Sequence, residues 1–236
     1  MRRAWMVAPA LFATACAGPY STLEPGGPSA GGVAVLWWVM LAGAGGICAL
    51  VAVLLVMAFL REGDGRPGSA KLWLGAMGVG FSSAVLAPLL VYAFVVGERT
   101  LPTPAPGTVT VEAEGRQWAW RFRQPDAGGG TIQTERALHI PAGVPVDVHI
   151  TTIDVIHSFW VPQLAGKMDA IPGRTNVLRI EASSPGTYQG VCAEFCGIGH
   201  TDNRFEVVAH DAASWAAFQA GALAPSLPQT VPGAAQ

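Results

Sequence analysis

Residues 33–60 read VAVLWWVMLAGAGGICALVAVLLVMAFL, and no Asp, Glu, Lys or Arg interrupts the chain from 25 to 60. A membrane-crossing helix needs about 20 consecutive apolar residues, so this run decides that part of the fold belongs in a bilayer. Cys48 stands mid-run and reads as a small buried apolar residue. A second uncharged run, 72–97 (LWLGAMGVGFSSAVLAPLLVYAFVVG), begins just after Lys71, and its Pro88 is tolerable inside a packed membrane helix. The two runs predict a two-helix transmembrane hairpin over 33–98.

The connecting loop 61–71, REGDGRPGSAK, carries Arg61, Arg66 and Lys71. Basic residues in short loops mark the cytoplasmic side, and Glu62 and Asp64 count for little. The loop is therefore expected in the cytoplasm, with the N-terminus and everything beyond residue 98 on the outer face. The opening MRRAWMVAPALFATACAG agrees: Arg2 and Arg3, an apolar run, then small residues up to Cys16 form a signal-peptide layout over 1–16. The residues before Cys16 also resemble the lipobox of bacterial lipoproteins, although Ala13 stands where that motif favours Leu; plain and lipoprotein-type signals both remain open. The Gly/Pro/Ser-rich residues 17–32 read as an exported linker. The expected location is the bacterial inner membrane, multi-pass, with the C-terminal domain on the periplasmic face.

Composition agrees with this division. The 236 residues are 51% hydrophobic and only 13% charged, with a net charge of −2, whereas soluble domains carry about 25% charged residues. There is no basic surface for tracking phosphates, which argues against nucleic-acid binding. From residue 98 onward 13 acidic residues face 9 basic ones, a mild excess that suits a basic partner or simple solubility equally well.

Beyond the hairpin the texture changes. Pro102, Pro104 and Pro106 mark an extended linker. Short alternating segments follow: TVTVEAEG, QWAWRFRQ, ALHIPAG, VPVDVHITT, TNVLRIEA, GTYQGVC and RFEVVAH. Strands at this spacing between Gly/Pro turns predict an antiparallel β-sandwich or barrel over 99–222. Asp211 is a candidate N-cap for a closing helix, AASWAAFQAGAL, with Trp215, Phe218 and Leu223 as its apolar stripe. The Pro/Ala-rich tail 223–236 reads as disordered.

The chemistry concentrates in Cys192-Ala-Glu194-Phe-Cys196-Gly-Ile-Gly-His200, with His157 in DVIHSFWVP. Two thiolates and an imidazole at four-residue steps can converge if the loop wraps one point, and His157 can close the cluster from a neighbouring strand. Sulfur with imidazole suits copper or zinc. The same pattern also fits a disulfide in an oxidising compartment, a structural zinc site, or a core histidine beside unrelated thiols. Spacing alone leaves these open.

The ordered motifs Gln117-Trp118-Ala-Trp120, Asp154-Val-Ile-His157-Ser-Phe, Lys167-Met-Asp169-Ala-Ile-Pro-Gly-Arg174 and Cys192-Ala-Glu194-Phe-Cys196-Gly-x-x-His200, placed after a membrane hairpin, resemble subunit II of the haem-copper oxidases. The resemblance implies a cupredoxin-like domain holding a binuclear copper centre, CuA. Cys192 and Cys196 would bridge two coppers, His157 and His200 would each cap one, and the main-chain carbonyl of Glu194 would be a further ligand. It implies that Trp118 is the electron entry, although Trp118 and Trp120 share strand parity and would equally pack on one sheet face. It places Asp169 and Arg174 at the interface with the catalytic subunit, where the Glu194 side chain would help hold a magnesium ion. The implied activity is electron transfer from cytochrome c to haem in the catalytic subunit I, which, with the other oxidase subunits, reduces dioxygen to water. Catalysis would lie in that other subunit.

Two positions depart from the family pattern. The weak axial Met expected three residues after the second histidine is Asn203, and the carboxylate the family often carries before the second span is Ala70. An amide oxygen can replace thioether at a weak axial position and, being harder, favours the oxidised metal. A copperless structural subunit II of a quinol oxidase is the alternative reading, and a thiol-redox chaperone using the Cys pair is a more distant one.

Overall fold

The computed structural model describes residues 17–60, 69–99, 101–103 and 106–222. The expected signal peptide, most of the expected cytoplasmic loop and the tail 223–236 lie outside the described residues. The chain folds as two compact units, residues 35–100 and the rest.

The helical unit contains α1 (Pro28–Leu60), of which residues 35–60 belong to it, and a second helix. That second helix is wound as a π-helix over Lys71–Phe81 and continues as α2 (Ser82–Arg99), with Pro88 inside it. Both are long and apolar enough to cross a membrane. At about 1.5 Å per residue, α1 exceeds the ~30 Å hydrocarbon thickness of a bilayer. Leu36 and Met40 of α1 and Leu86, Leu90 and Ala93 of α2 line one crevice between them.

The other unit is a β-sandwich of two five-stranded sheets. β1 (Val109–Arg116), β2 (Ala119–Pro125), β3 (Thr131–Glu135), β5 (Val146–Thr152) and β8 (Asn176–Ile180) form one, in the order β3-β2-β1-β5-β8. β4 (Ala137–Pro141), β6 (His157–Trp160), β7 (Met168–Ala170), β9 (Gly186–Cys192) and β10 (Arg204–His210) form the other, in the order β4-β10-β9-β6-β7. The sheets are not purely antiparallel as expected: β1 runs parallel to β5, and β4 parallel to β10. β3, β6 and β7 are strands that the composition did not announce.

Alternation builds the core. Trp120, Phe122 and Gln124 of β2, Val146, Val148 and Ile150 of β5, and Phe205, Val207 and Ala209 of β10 all point inward and are buried. Phe159 stacks on Phe205 at 4.7 Å between centroids, and Trp120 meets Phe159 edge-on at 5.6 Å. Burying each such ring contributes about 2 kcal/mol. Trp118 does not share this face. It occupies the turn between β1 and β2, so the shared-parity expectation fails because the strand begins only at Ala119.

The closing helix is α3 (Ala212–Gln219), and Asp211 Oδ1 accepts from Ser214 N–H at 2.8 Å as its N-cap. That bond to the ionised carboxylate holds Asp211 below its ordinary pKa. Phe218 is buried, while Trp215 is only partly so and Leu223 lies outside the described residues.

The segment expected as a linker over 17–32 is in part packed structure. α1 begins at Pro28, and ahead of it Gly26 donates to the Gln163 carbonyl (2.7 Å) and accepts from Ser183 N–H (2.8 Å). Gly27 has no room for a side chain, since a Cβ there would lie 2.0 Å from the Glu181 carbonyl oxygen. Gly26, Gly27 and the first turn of α1 therefore belong to the sandwich unit.

Candidate metal centre

β9 ends at Cys192, and β6 pairs with it so that Phe159 lies opposite Cys192. This register brings His157, at the start of β6, beside the thiol: His157 Nδ1 is 3.7 Å from Cys192 Sγ. The loop after β9 returns Cys196 to 3.8 Å from Cys192, sulfur to sulfur, and places His200 Nδ1 3.6 Å from Cys196 Sγ. The Glu194 carbonyl oxygen stands 3.3 Å from Cys192 Sγ. A disulfide requires about 2.05 Å, so both cysteines are free thiols.

Donor atoms of His157, Cys192 and Cys196 all lie within 4.8 Å of one another, and all three residues are buried. Asn203, fully buried just after the His200–Asp202 turn, aims its amide at the same point. Its Nδ2 is 3.3 Å from His157 Nδ1 and 3.8 Å from Cys196 Sγ, while its Oδ1 has no protein partner. Two soft sulfurs, two imidazole nitrogens and a carbonyl make a donor set that fits copper, with the Asn203 amide beside it.

Outer contacts orient these side chains. His157 donates Nε2–H to Asp154 Oδ1 at 2.8 Å, which leaves Nδ1 free to face the thiols. Asp154 also accepts from the backbone N–H of Gln117 (2.8 Å) and of Val155 (2.7 Å). The His157 ring lies against Gly115, where a Cβ would come 3.1 Å from it. Burial raises the Asp154 carboxyl, but these bonds and the His157 contact bring it below its usual pKa. Burial likewise depresses His157, and its bonds to Cys192 and Asp154 outweigh that and raise it. The two thiols hold protons unequally. Burial raises both, but the His157 bond and backbone hydrogen bonds bring Cys192 below a normal thiol, while Cys196, beside that incipient thiolate, stays above it.

Trp118 reaches the centre from the opposite sheet. Its Nε1–H donates to the Cys196 carbonyl at 3.1 Å, and Gln117 Nε2 donates to the same oxygen at 2.8 Å. The half-buried indole lies flat under Gly199, where a Cβ would meet it at 2.5 Å. Phe195 (76% exposed) and Ile198 (93%) project from the same loop into solvent.

The remaining candidates stay apart from the cluster. The Glu194 carboxylate turns outward toward Lys167 at 3.7 Å. Asp169 sits on β7 opposite Ser158, and Arg174 is exposed in the following turn. Asp154 stood in the DVIH motif as either buried or docking, and the bond to His157 three residues away shows it packed against the cluster; Arg136, whose guanidinium reaches the Trp118 and Asp202 carbonyls, carried no signal in the sequence.

A family model for the periplasmic domain of cytochrome c oxidase subunit II matches residues 126–209. The chain is 45% identical over 124 residues to cytochrome c oxidase subunit 2 of Thermostichus vulcanus, covering 51% of this chain and 36% of that one. It is 32% identical over 195 residues to an alternative cytochrome c oxidase subunit 2 of Bradyrhizobium diazoefficiens, covering 66% of this chain and 69% of the relative. A solved periplasmic domain of cytochrome oxidase subunit II from Bradyrhizobium japonicum matches with a TM-score of 0.47 and 27% identity, over 52% of this chain and 96% of that one. Against the Thermostichus protein the chain thus spans about a third of the relative's length. An exported cupredoxin-like domain behind apolar helices, with a His/Cys/Cys cluster, defines the class; the chain belongs to the cytochrome c oxidase subunit 2 family.

Proposed function

We propose that this chain is the electron-accepting subunit of a respiratory haem-copper oxidase, anchored by two membrane spans with its β domain on the periplasmic side. The observation that carries the reading is the convergence of His157, Cys192 and Cys196 donor atoms within 4.8 Å. His157, Cys192, Cys196, His200 and the Glu194 carbonyl would hold a binuclear copper centre, with the Asn203 amide beside it. Copper bound there supplies reversible one-electron exchange without an open coordination position.

The chain's own groups prepare that exchange. Cys192 and Cys196 would supply two soft sulfur ligands from a buried pocket, and the depressed Cys192 thiol supplies a thiolate readily. Asp154 holds the His157 ring in one orientation, so little rearrangement accompanies a change of charge. Trp118, bonded to the Cys196 carbonyl, is the entry point for electrons from a cytochrome c. Phe195 and Ile198 give the loop an apolar rim suited to a protein partner. Asp169, Arg174 and the Glu194 carboxylate belong to the contact with the catalytic subunit, where Glu194 would share a magnesium ion. Electrons would then pass to haem in that subunit, where dioxygen would be reduced to water.

The test is copper content with optical and EPR spectra on the full chain, loaded with copper under reducing conditions. About two coppers per chain with a signal delocalised over two nuclei is expected of a binuclear centre held by two soft sulfurs. A chain that takes up no copper would belong instead to the copperless quinol-oxidase class.

A further inference from the structure

Arg136 has a φ of +60°, the only positive value at a residue other than glycine among the described residues. It stands where the chain leaves β3 in one sheet and enters β4 in the other. The left-handed region is uncommon for a long side chain, Gly, Asn and Asp being its usual occupants. An outlier of this kind points to a role for the side chain that holds it.

The contacts define that role. The Arg136 backbone N–H donates to the Trp120 carbonyl and its own carbonyl accepts from Glu206 N–H, each at 2.8 Å, which sews the corner to both sheets. Its guanidinium then spans the gap between two loops. Nη2 donates to the Trp118 carbonyl at 2.9 Å; Nη1 donates to the Asp202 carbonyl at 3.0 Å and to that of Arg204 at 3.4 Å. Asp202 and Arg204 flank Asn203 and follow His200 in the chain. Trp118 is therefore held at both ends, its indole by Cys196 and its carbonyl by Arg136. A planar, rigid guanidinium fork can hold two loops at a set separation, which a single flexible ammonium cannot.

We propose that Arg136 is a positioning residue for electron entry, fixing Trp118 against the loop that carries Cys196 and His200. The proposal rests on the reading of Trp118 as the entry point. It assigns the distance between the indole and the metal-binding loop to a side chain 18 residues from Trp118 and more than 60 from that loop's end.

The experiment uses the full chain in detergent or nanodiscs, labelled with nitrogen-15 at tryptophan. Arg136→Asn keeps a residue that tolerates the left-handed backbone and removes the fork; Arg136→Lys keeps the charge and removes the fork. In both, exchange of the Trp118 indole proton, identified by its loss in Trp118→Phe, is expected to quicken about tenfold, with the Trp120 indole unchanged. In the copper-loaded chain, the rate of reduction by a small soluble cytochrome c is expected to fall about tenfold or more, as misplacement by an ångström can, at unchanged copper content. Unchanged Trp118 exchange overturns the proposal. So does parallel acceleration at Trp120 with loss of copper, which marks a general structural role, and so does wild-type behaviour of Arg136→Lys. A wild-type chain that takes up no copper, or a Trp118→Phe variant reduced at the wild-type rate, overturns the underlying electron-entry reading and this role with it, whatever the exchange shows.

Discussion

His157 and Asp154 form a 2.8 Å Nε2 to Oδ1 hydrogen bond across one turn of chain, and it leaves the opposite ring nitrogen facing the thiols. Removing the carboxylate charge while keeping the shape is therefore expected to loosen the metal centre and spare the fold. Carboxylate partners of metal-bound histidines typically contribute about 10- to 100-fold in affinity. Copper retention by Asp154→Asn against a chelator series should fall by that order, and retention equal to wild type would show that the pair only packs.

Asn203 puts a hard amide group within 3.8 Å of the soft Cys196 sulfur. Asn203→Met is expected to raise the redox potential, because thioether favours the reduced metal more than amide oxygen does. Each tenfold change in relative affinity moves a one-electron couple by about 60 mV. A spectroelectrochemical titration measures it, and a potential in Asn203→Met at or below wild type contradicts the expectation.

The pair His139 and His210 couples α3 to the sandwich in a pH-dependent way. His139 Nδ1 lies 2.8 Å from His210 Nε2, and the His139 ring stacks on Phe218 at 4.2 Å. Burial, together with the neighbouring His210, lowers His139 from 6.5 to about 4, and burial lowers His210 as well. Both are thus favoured neutral in the fold, while the unfolded chain takes up protons below about pH 6.5. Stability is complete above that pH and is lost as pH falls toward 4, by at most about 3 kcal/mol from His139. Thermal unfolding between pH 7.5 and 4 should show the decline, and His139→Phe should flatten it. A decline of equal size in that variant would place its origin in other groups.

Gly27 tests the docking of the segment before α1. A Cβ there meets the Glu181 backbone carbonyl at 2.0 Å, and a carbonyl in a packed sandwich cannot step aside as a flexible side chain can. Gly27→Ala is expected to cost about 1–3 kcal/mol locally. Limited proteolysis of the full chain should then cut within residues 17–27 faster than in wild type, while copper uptake is unchanged. Equal cleavage rates would mean the segment has room to shift.

Much of this protein was legible in one dimension. Two long uncharged runs announce two apolar helices because hydrophobic length is a local property, and Asp211 announces α3 because a cap acts within three residues. Cys192, Glu194, Cys196 and His200 could be picked out because one short loop carries them, and His157 entered through the motif around it. The short strands β6 and β7 were not legible, since three or four residues have no period of their own and become strands only by pairing, and β3, with the polar TIQTE and one buried position, shows no apolar alternation. The parallel pairing of β1 with β5 likewise depends on where distant segments meet.

What tertiary structure alone decided lies in contacts that close over long stretches of chain. Trp118 reaches the Cys196 carbonyl across 78 residues and Arg136 reaches the Asp202 carbonyl across 66. Whether a tryptophan packs in the core or lies on the loop after β9, and whether an arginine faces solvent or bonds two loops, follows from which backbone groups the closed sandwich sets opposite them. Residue type supplied the donors and the apolar length; only the folded register determined which of those groups would meet, because hydrogen bonds and ligand sets depend on distances of a few ångströms that neighbours in sequence do not control.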